Sequence, residues 1–207
     1  MSKGFDCIIS NMKLIFAKKK SKALIDYNTQ SFIRGASLKF GSATTIKLGK
    51  DLHMKRGCKL YVRGNANVVI GNNVFFNYNC MVVARNNIII GDGTIHGPNV
   101  SYFDHDHVFK RDDLKAGKEF ICGDINIGKN VWIGANCIIL RDTVIGDNSV
   151  IAAGTVVKGH FPANSIIYTK RELVEYTDTI LPCARTFFTT LPQLFDHPSG
   201  SICHPAQ

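Results

Sequence analysis

An apolar residue returns at every sixth position from Ile127 to Val157, through Ile133, Ile139, Ile145 and Ile151. A period of six is neither the 2.0 of a strand nor the 3.6 of a helix, so no single amphipathic element carries it. A coiled solenoid does. Two positions before each of the last five anchors stands a compact or β-branched residue: Val131, Cys137, Thr143, Ser149 and Thr155. The spacing predicts an all-β parallel β-helix, a triangular prism in which each six-residue unit supplies one short strand and one corner. Three units make a coil, so Ile127 stacks on Ile145 and Ile133 on Ile151. Successive coils then lie one strand spacing apart, about 4.8 Å. The same stride, less cleanly filled, runs through Phe40, Ile46, Leu52, Cys58, Gly64, Ile70, Phe76 and Val82. Glycine follows Ile127, Ile133 and Ile145, where it is expected to ease the backbone through restricted positions, and Asn or Asp follows in turn.

With 207 residues, 45% of them hydrophobic, the chain can bury one substantial core. The prism is expected over 31–167, after a helical or irregular segment 1–30 and before a capping segment and tail 168–207. Arg171 to Tyr176 reads as a short helix, and the four prolines after residue 177 leave the tail unassigned. The repeat lapses after Tyr102. From Asp104 to Asp124, ten of twenty-one positions are Asp, Glu, Lys or Arg, a composition that cannot line a prism. This stretch is expected to be a loop thrown outward, and long loops in compact domains are commonly functional.

Seven scattered cysteines without a CxxC pair, and no cleavable signal, point to a reducing cytosol rather than a secreted disulfide framework. Ile8-Ile9 and Met12 to Phe16, followed by Lys18-Lys19-Lys20, are too short for a membrane span and suit an amphipathic helix, so any membrane association is peripheral. The net charge of +9 is spread and does not alternate with aromatics, which argues against nucleic acid. Phosphorylated cofactors, acidic glycans and anionic membrane surfaces remain as partners.

The lapse opens with Phe103-Asp104-His105-Asp106-His107. Two histidines among acids suit a general base, a metal site or a merely solvated loop. A metal would need a third ligand, and the other prism histidines are His53, His96 and His160. Cys80 and Cys137 fall on inward positions and read as core. Asn77 and Asn79 sit where corner chemistry and substrate contact are equally served. His96 reads as a hydrogen-bonded corner residue.

The stretch from Ile125 to Ala135, together with Val144 to Val157, resembles the hexapeptide-repeat acyltransferases, nearest to the galactoside, maltose and polysaccharide O-acetyltransferase type; the resemblance covers roughly 40 to 165. It implies left-handed coiling, against the usual right-handed crossover. It implies transfer of an acetyl group from acetyl-coenzyme A to a sugar hydroxyl in a ternary complex, without acyl-enzyme and without a metal. His107, seven residues after Val100 in Pro98-Asn99-Val100, becomes the catalytic base, with His105 shaping the loop or touching substrate. Asn77 and Asn79 match the acceptor-contacting segment. Trp132, Ala135, Ala153 and Lys158 match the coenzyme A groove, and Ala135 also supplies an oxyanion donor. The family's Gly-x-Pro-Ala segment is replaced here by Ile167-Tyr168-Thr169-Lys170-Arg171, in which Lys170 and Arg171 keep the charge that would meet the nucleotide. The resemblance further implies a homotrimer with active sites between prisms, a role in surface polysaccharide synthesis and a cytoplasmic location. N-acetylation of an amino sugar, a carbonic-anhydrase-like metal protein and a non-catalytic scaffold are the alternatives.

Overall fold

The computed structural model describes residues 3–108 and 119–170. Within them the chain winds as a parallel β-helix of the left-handed hexapeptide type, with three faces. The first face stacks Ser37–Phe40, Lys59–Val62, Met81–Ala84 and Ser101–Phe103 in register with residues 138–140. The second stacks Leu24–Tyr27, Thr45–Leu48, Asn67–Ile70, Asn87–Ile90 and Asp124–Ile127 with residues 143–145. The third stacks six two-residue strands, from His53–Met54 through Phe75–Phe76, Ile95–His96, Trp132–Ile133 and Val150–Ile151 to Ile166–Ile167. Leu24–Tyr27 lies ahead of residue 31, so the first coil begins earlier than the stride suggests.

Every anchor from Ile127 to Val157 and every paired position from Val131 to Thr155 points into the core. Ile127 pairs with Ile145 and Ile133 with Ile151, as the eighteen-residue coil requires. The earlier coils are longer. Ile46 pairs with Val68, a step of 22 residues, and Val68 with Ile88, a step of 20. The surplus goes into four-residue strands with a third inward side chain, such as Cys58, Leu60 and Val62 followed by Ala66, Val68 and Ile70. The stride therefore slips at Gly64, which sits exposed at a corner with φ +69° rather than in the core.

The glycines after the anchors serve a different purpose from the one expected. Gly128 and Gly134 do not have positive φ; a Cβ on Gly134 would come within 2.5 Å of the Ala153 nitrogen, and one on Gly128 within 2.6 Å of the Asp147 nitrogen, in the next coil. Close approach of backbones excludes a side chain there. The left-handed conformations fall mostly to asparagine instead: Asn73, Asn130, Asn148 and Asn164 at one corner, Asn79, Asn99 and Asn136 at another. Asparagine tolerates this region better than other residues with a Cβ.

Lys3–Ser21 forms a helix with Asp6 in its first turn and lysines in its last, which complements the helix dipole. It closes the N-terminal end of the prism. Leu14 is fully buried in the core, Ser10 accepts a hydrogen bond from the Ile33 N–H (2.9 Å), and the Lys13 ammonium donates to the carbonyls of Arg34 (3.0 Å) and Ala36. Burial pushes the Lys13 pKa down.

His96 lies on a face, not at a corner. It points inward between Phe76, on which its ring stacks at 4.1 Å, and Ile133. Its Nδ1–H donates to the Phe75 carbonyl (2.9 Å), which leaves Nε2 to accept the Tyr102 hydroxyl (2.6 Å). Burial lowers its pKa to about 4 and raises that of Tyr102 well above 10.

Two outcomes follow from this packing. Gly134→Ala must displace the neighbouring coil and should cost about 1–3 kcal/mol of stability, read from urea unfolding. His96 stays neutral in the folded chain but takes a proton below pH 6.5 once unfolded, so the unfolded state binds more protons between pH 6.5 and about 4. Its contribution is complete above pH 6.5 and is lost as pH falls through that window, by roughly 3 kcal/mol in all. Unfolding free energies measured across the window should fall more steeply for the wild type than for His96→Gln; equal slopes would contradict the assignment.

Candidate functional site

The insertion leaves the prism at the corner between the first and second faces. Val100 and Tyr102 point inward, and Asp104 continues that alternation: it is fully buried rather than part of an outward loop. Its carboxylate accepts the backbone N–H of Arg85 (2.8 Å) and of Asn86 (2.7 Å), the corner of the preceding coil. It also accepts the His105 Nδ1–H (2.9 Å), while the Asp104 carbonyl accepts the Gly123 N–H (2.9 Å). One residue thus fixes the corner beneath, the start of the insertion and its end.

Beyond Asp104 the insertion continues as a hairpin. His105–His107 pairs antiparallel with Phe120–Cys122, His107 opposite Phe120, and the Val108 N–H donates to the Glu119 carbonyl (3.0 Å). The Phe120 ring contacts His105 edge-on at 5.3 Å and His107 at 4.6 Å, and the Arg85 guanidinium lies 3.5 Å from its centroid. Asp106 accepts a hydrogen bond from Arg141 Nε (2.7 Å). Arg141 in turn donates to Asp142, which also has Lys158 Nζ at 3.8 Å. His107 is exposed on this braced hairpin, and His105 is held against the prism by its bond to Asp104.

A second group lies along the corner between the third and first faces. Asn77-Tyr78-Asn79, Gly97-Pro98-Asn99, Gly134-Ala135-Asn136 and Ala152-Ala153-Gly154 stack in register over four coils. The ladder runs from the Asn99 N–H to the Tyr78 carbonyl (2.9 Å), from Asn136 to Pro98 (2.9 Å) and from Gly154 to Ala135 (2.7 Å). Asn79 takes φ +60° as a corner residue, and the Asn77 side chain accepts the Tyr78 N–H (2.9 Å). Trp132 is exposed on the third face between Ile95 and Val150. Lys170 is exposed after the last strand, and Arg171 lies outside the described residues.

The chain thus gathers the residues into two sets. His105 and His107, with Lys158 nearby, flank one corner; Asn77, Asn79, Ala135 and Ala153 line another, and the whole first face separates them. Asp104, Arg85, Phe120 and Arg141 were not singled out from the sequence. The period-two alternation through Val100, Tyr102 and Asp104 was the available signal for the first; antiparallel pairing of the insertion, which brings Phe120 to His107, left none. Among the described residues no three His, Cys, Asp or Glu side chains converge to hold a metal ion.

Residues 124–159 match the sequence profile of the family described as bacterial transferase hexapeptide (six repeats). That stretch thus carries the family's repeat. It is 36% identical over 107 residues to the galactoside O-acetyltransferase of Escherichia coli K12, a match covering 52% of each chain. A putative lipopolysaccharide biosynthesis O-acetyl transferase, WbbJ, from the same organism is 28% identical over 131 residues, 59% of this chain and 67% of that one. The chain therefore spans about half the length of the galactoside enzyme. In fold it is similar to AntD, an N-acyltransferase from Bacillus cereus solved in complex with dTDP and 3-hydroxybutyryl-CoA: TM-score 0.56 and 15% identity over 88% of this chain and 94% of that one.

The buried carboxylate carries a clear expectation. Asp104→Asn places a carboxamide against backbone N–H groups that need acceptors, and should cost about 2 kcal/mol. Amide hydrogen exchange at Arg85 and Asn86 should accelerate in step; unchanged protection would show that the carboxylate does not hold the corner.

Proposed function

We propose that the protein is an acetyl-coenzyme A-dependent O-acetyltransferase acting on a sugar hydroxyl in the assembly of a surface polysaccharide. The observation that carries this reading is the placement of His107: an exposed imidazole on a hairpin braced by Phe120, beside a hexapeptide prism whose sequence relatives are named O-acetyltransferases. A hydroxyl needs a base as it attacks, and a positioned histidine supplies one.

In this reading neutral His107 takes the acceptor's hydroxyl proton as its oxygen bonds to the thioester carbonyl carbon. The carbonyl oxygen gains negative charge in the tetrahedral intermediate, and the Ala135 N–H stabilises it. The carbon–sulfur bond then breaks, and the imidazolium returns its proton to the departing thiolate. Coenzyme A lies along the corner of small residues, with the pantetheine beside Ala135, Ala153 and Trp132. Lys158, Lys170 and Arg171 supply charge for its phosphates. Asn77, Asn79 and His105 contact the saccharide. Because the first face separates His107 from Ala135 within one chain, the reading requires a homotrimer in which the hairpin of one prism faces the small-residue corner of another. Free thiols at Cys58, Cys80 and Cys137 accord with a cytoplasmic location.

The test is turnover of acetyl-coenzyme A by the full chain over a panel of hydroxyl and amino sugars, followed as release of coenzyme A. His107→Ala should lower kcat by roughly 10²–10⁴-fold while leaving the melting temperature unchanged. Full activity in that variant would remove the catalytic assignment, and turnover confined to amino sugars would replace O-transfer with N-transfer.

A further inference from the structure

The N-terminal helix is amphipathic in an inverted sense: it seals the prism with one face and exposes an apolar stripe on the other. At 100° per residue, Ile15, Ile8, Lys19, Met12 and Phe16 follow one another around about a quarter of the circumference. Ile8 is 58% exposed, Met12 64%, Ile15 56% and Phe16 68%. The opposite side carries Ser10, Lys13 and Leu14, the residues fastened to Ile33, Arg34, Ala36 and the core. That fastening leaves the stripe no freedom to turn inward.

We propose that this helix docks the protein on an anionic lipid surface, lying in the interface plane with Ile8, Met12, Ile15 and Phe16 inserted among the acyl chains. Charge selects the partner. Lys18 and Lys20 flank the stripe on either side, Lys19 lies within it, and Lys22 follows; all four are exposed. The one acid on the helix with a described side chain, Asp6, is engaged by Arg34 at 3.0 Å. An apolar strip bordered by lysines suits anionic headgroups, each nearby lysine adding to the attraction. A parallel pairing of two copies through the same strip would instead set one lysine cluster against another. No helix among the described residues is long and apolar enough to cross a membrane, so the helix lies on the surface. The proposal does not rest on the acetyltransferase reading.

The test is co-sedimentation of the full chain with equimolar phosphatidylglycerol–phosphatidylcholine vesicles and with pure phosphatidylcholine vesicles. The wild type should pellet with the anionic vesicles and largely remain in solution with the neutral ones. Replacing the three lysines (Lys18→Ser, Lys19→Ser, Lys20→Ser) should weaken partitioning roughly a hundredfold, and Met12→Asp with Phe16→Asp roughly tenfold or more. The aspartate pair replaces exposed side chains and should melt with the wild type, whereas the lysine variant gives up the bond from Lys18 Nζ to the Ile25 carbonyl (3.1 Å) and should melt slightly below it while remaining folded. If the aspartate pair fails to fold, the lysine variant and the release of bound wild type by high salt decide the question. A wild type that leaves anionic vesicles unbound, or a folded lysine variant that pellets as the wild type does, overturns the proposal. So does an aspartate pair that lowers the oligomeric state while the wild type ignores vesicles, which would assign the stripe to a second copy.

Discussion

Parallel backbone ladders between successive coils set the terms for the rest of the structure. Each coil lies one strand spacing from the next, about 4.8 Å, so every residue has a counterpart directly above and below it. At the glycine positions of the corners that spacing leaves room for bare backbone only, as the 2.5 Å approach of a hypothetical Gly134 Cβ to Ala153 shows. On the faces it forces alternation, and the inward half of each strand becomes a column of the core. Asparagine columns at two corners accept the left-handed backbone and bridge coils through their side chains, as from Asn99 to Asn136 at 3.0 Å.

Such a scaffold has few places where chain can be added. A residue inserted in a face would break the ladders on both sides, whereas a corner can be opened if its backbone groups are satisfied another way. Asp104 does this. Its carboxylate accepts the amides of Arg85 and Asn86 and holds His105, and its carbonyl takes the returning Gly123 amide. The second face then resumes with Ile125 paired to Ile88 as though nothing had intervened. His107 is therefore carried by a hairpin anchored in the prism, and its ring is placed by Phe120 from the far strand rather than by neighbours in sequence.

What could be read from the sequence divides along the same physical line. From Ile127 to Val157 the coil is eighteen residues, the stride is strict, and inward positions, stacking partners and coil length were all legible. Where coils lengthen to 22 and 20 residues the arithmetic fails, and Gly64 falls on an apparent anchor that is an exposed corner. The glycines were visible but their reason was not, because close approach between coils is a property of the stack and not of local backbone preference. His96 was expected at a corner since longer coils shift the phase; alternation places it inward, where Tyr102 and the Phe75 carbonyl satisfy both ring nitrogens. Asp104 was read as part of a charged loop because composition favours exposure for a carboxylate, and only the count from Val100 and Tyr102 points the other way.

The two clusters of candidate residues stand on different corners for a topological reason. Small residues can line a corner only where the connection between two faces keeps one length, and from Phe76 to Met81, His96 to Ser101, Ile133 to Ile138 and Ile151 to Val156 it does so through four coils. The insertion requires a corner whose connection can lengthen, and the stretch between Phe103 and Asp124 supplies it. A regular groove and a long insertion thus exclude one another at a single corner. Within one prism, the corner that bears the insertion and the corner lined by small residues therefore stay apart, with the whole first face between them.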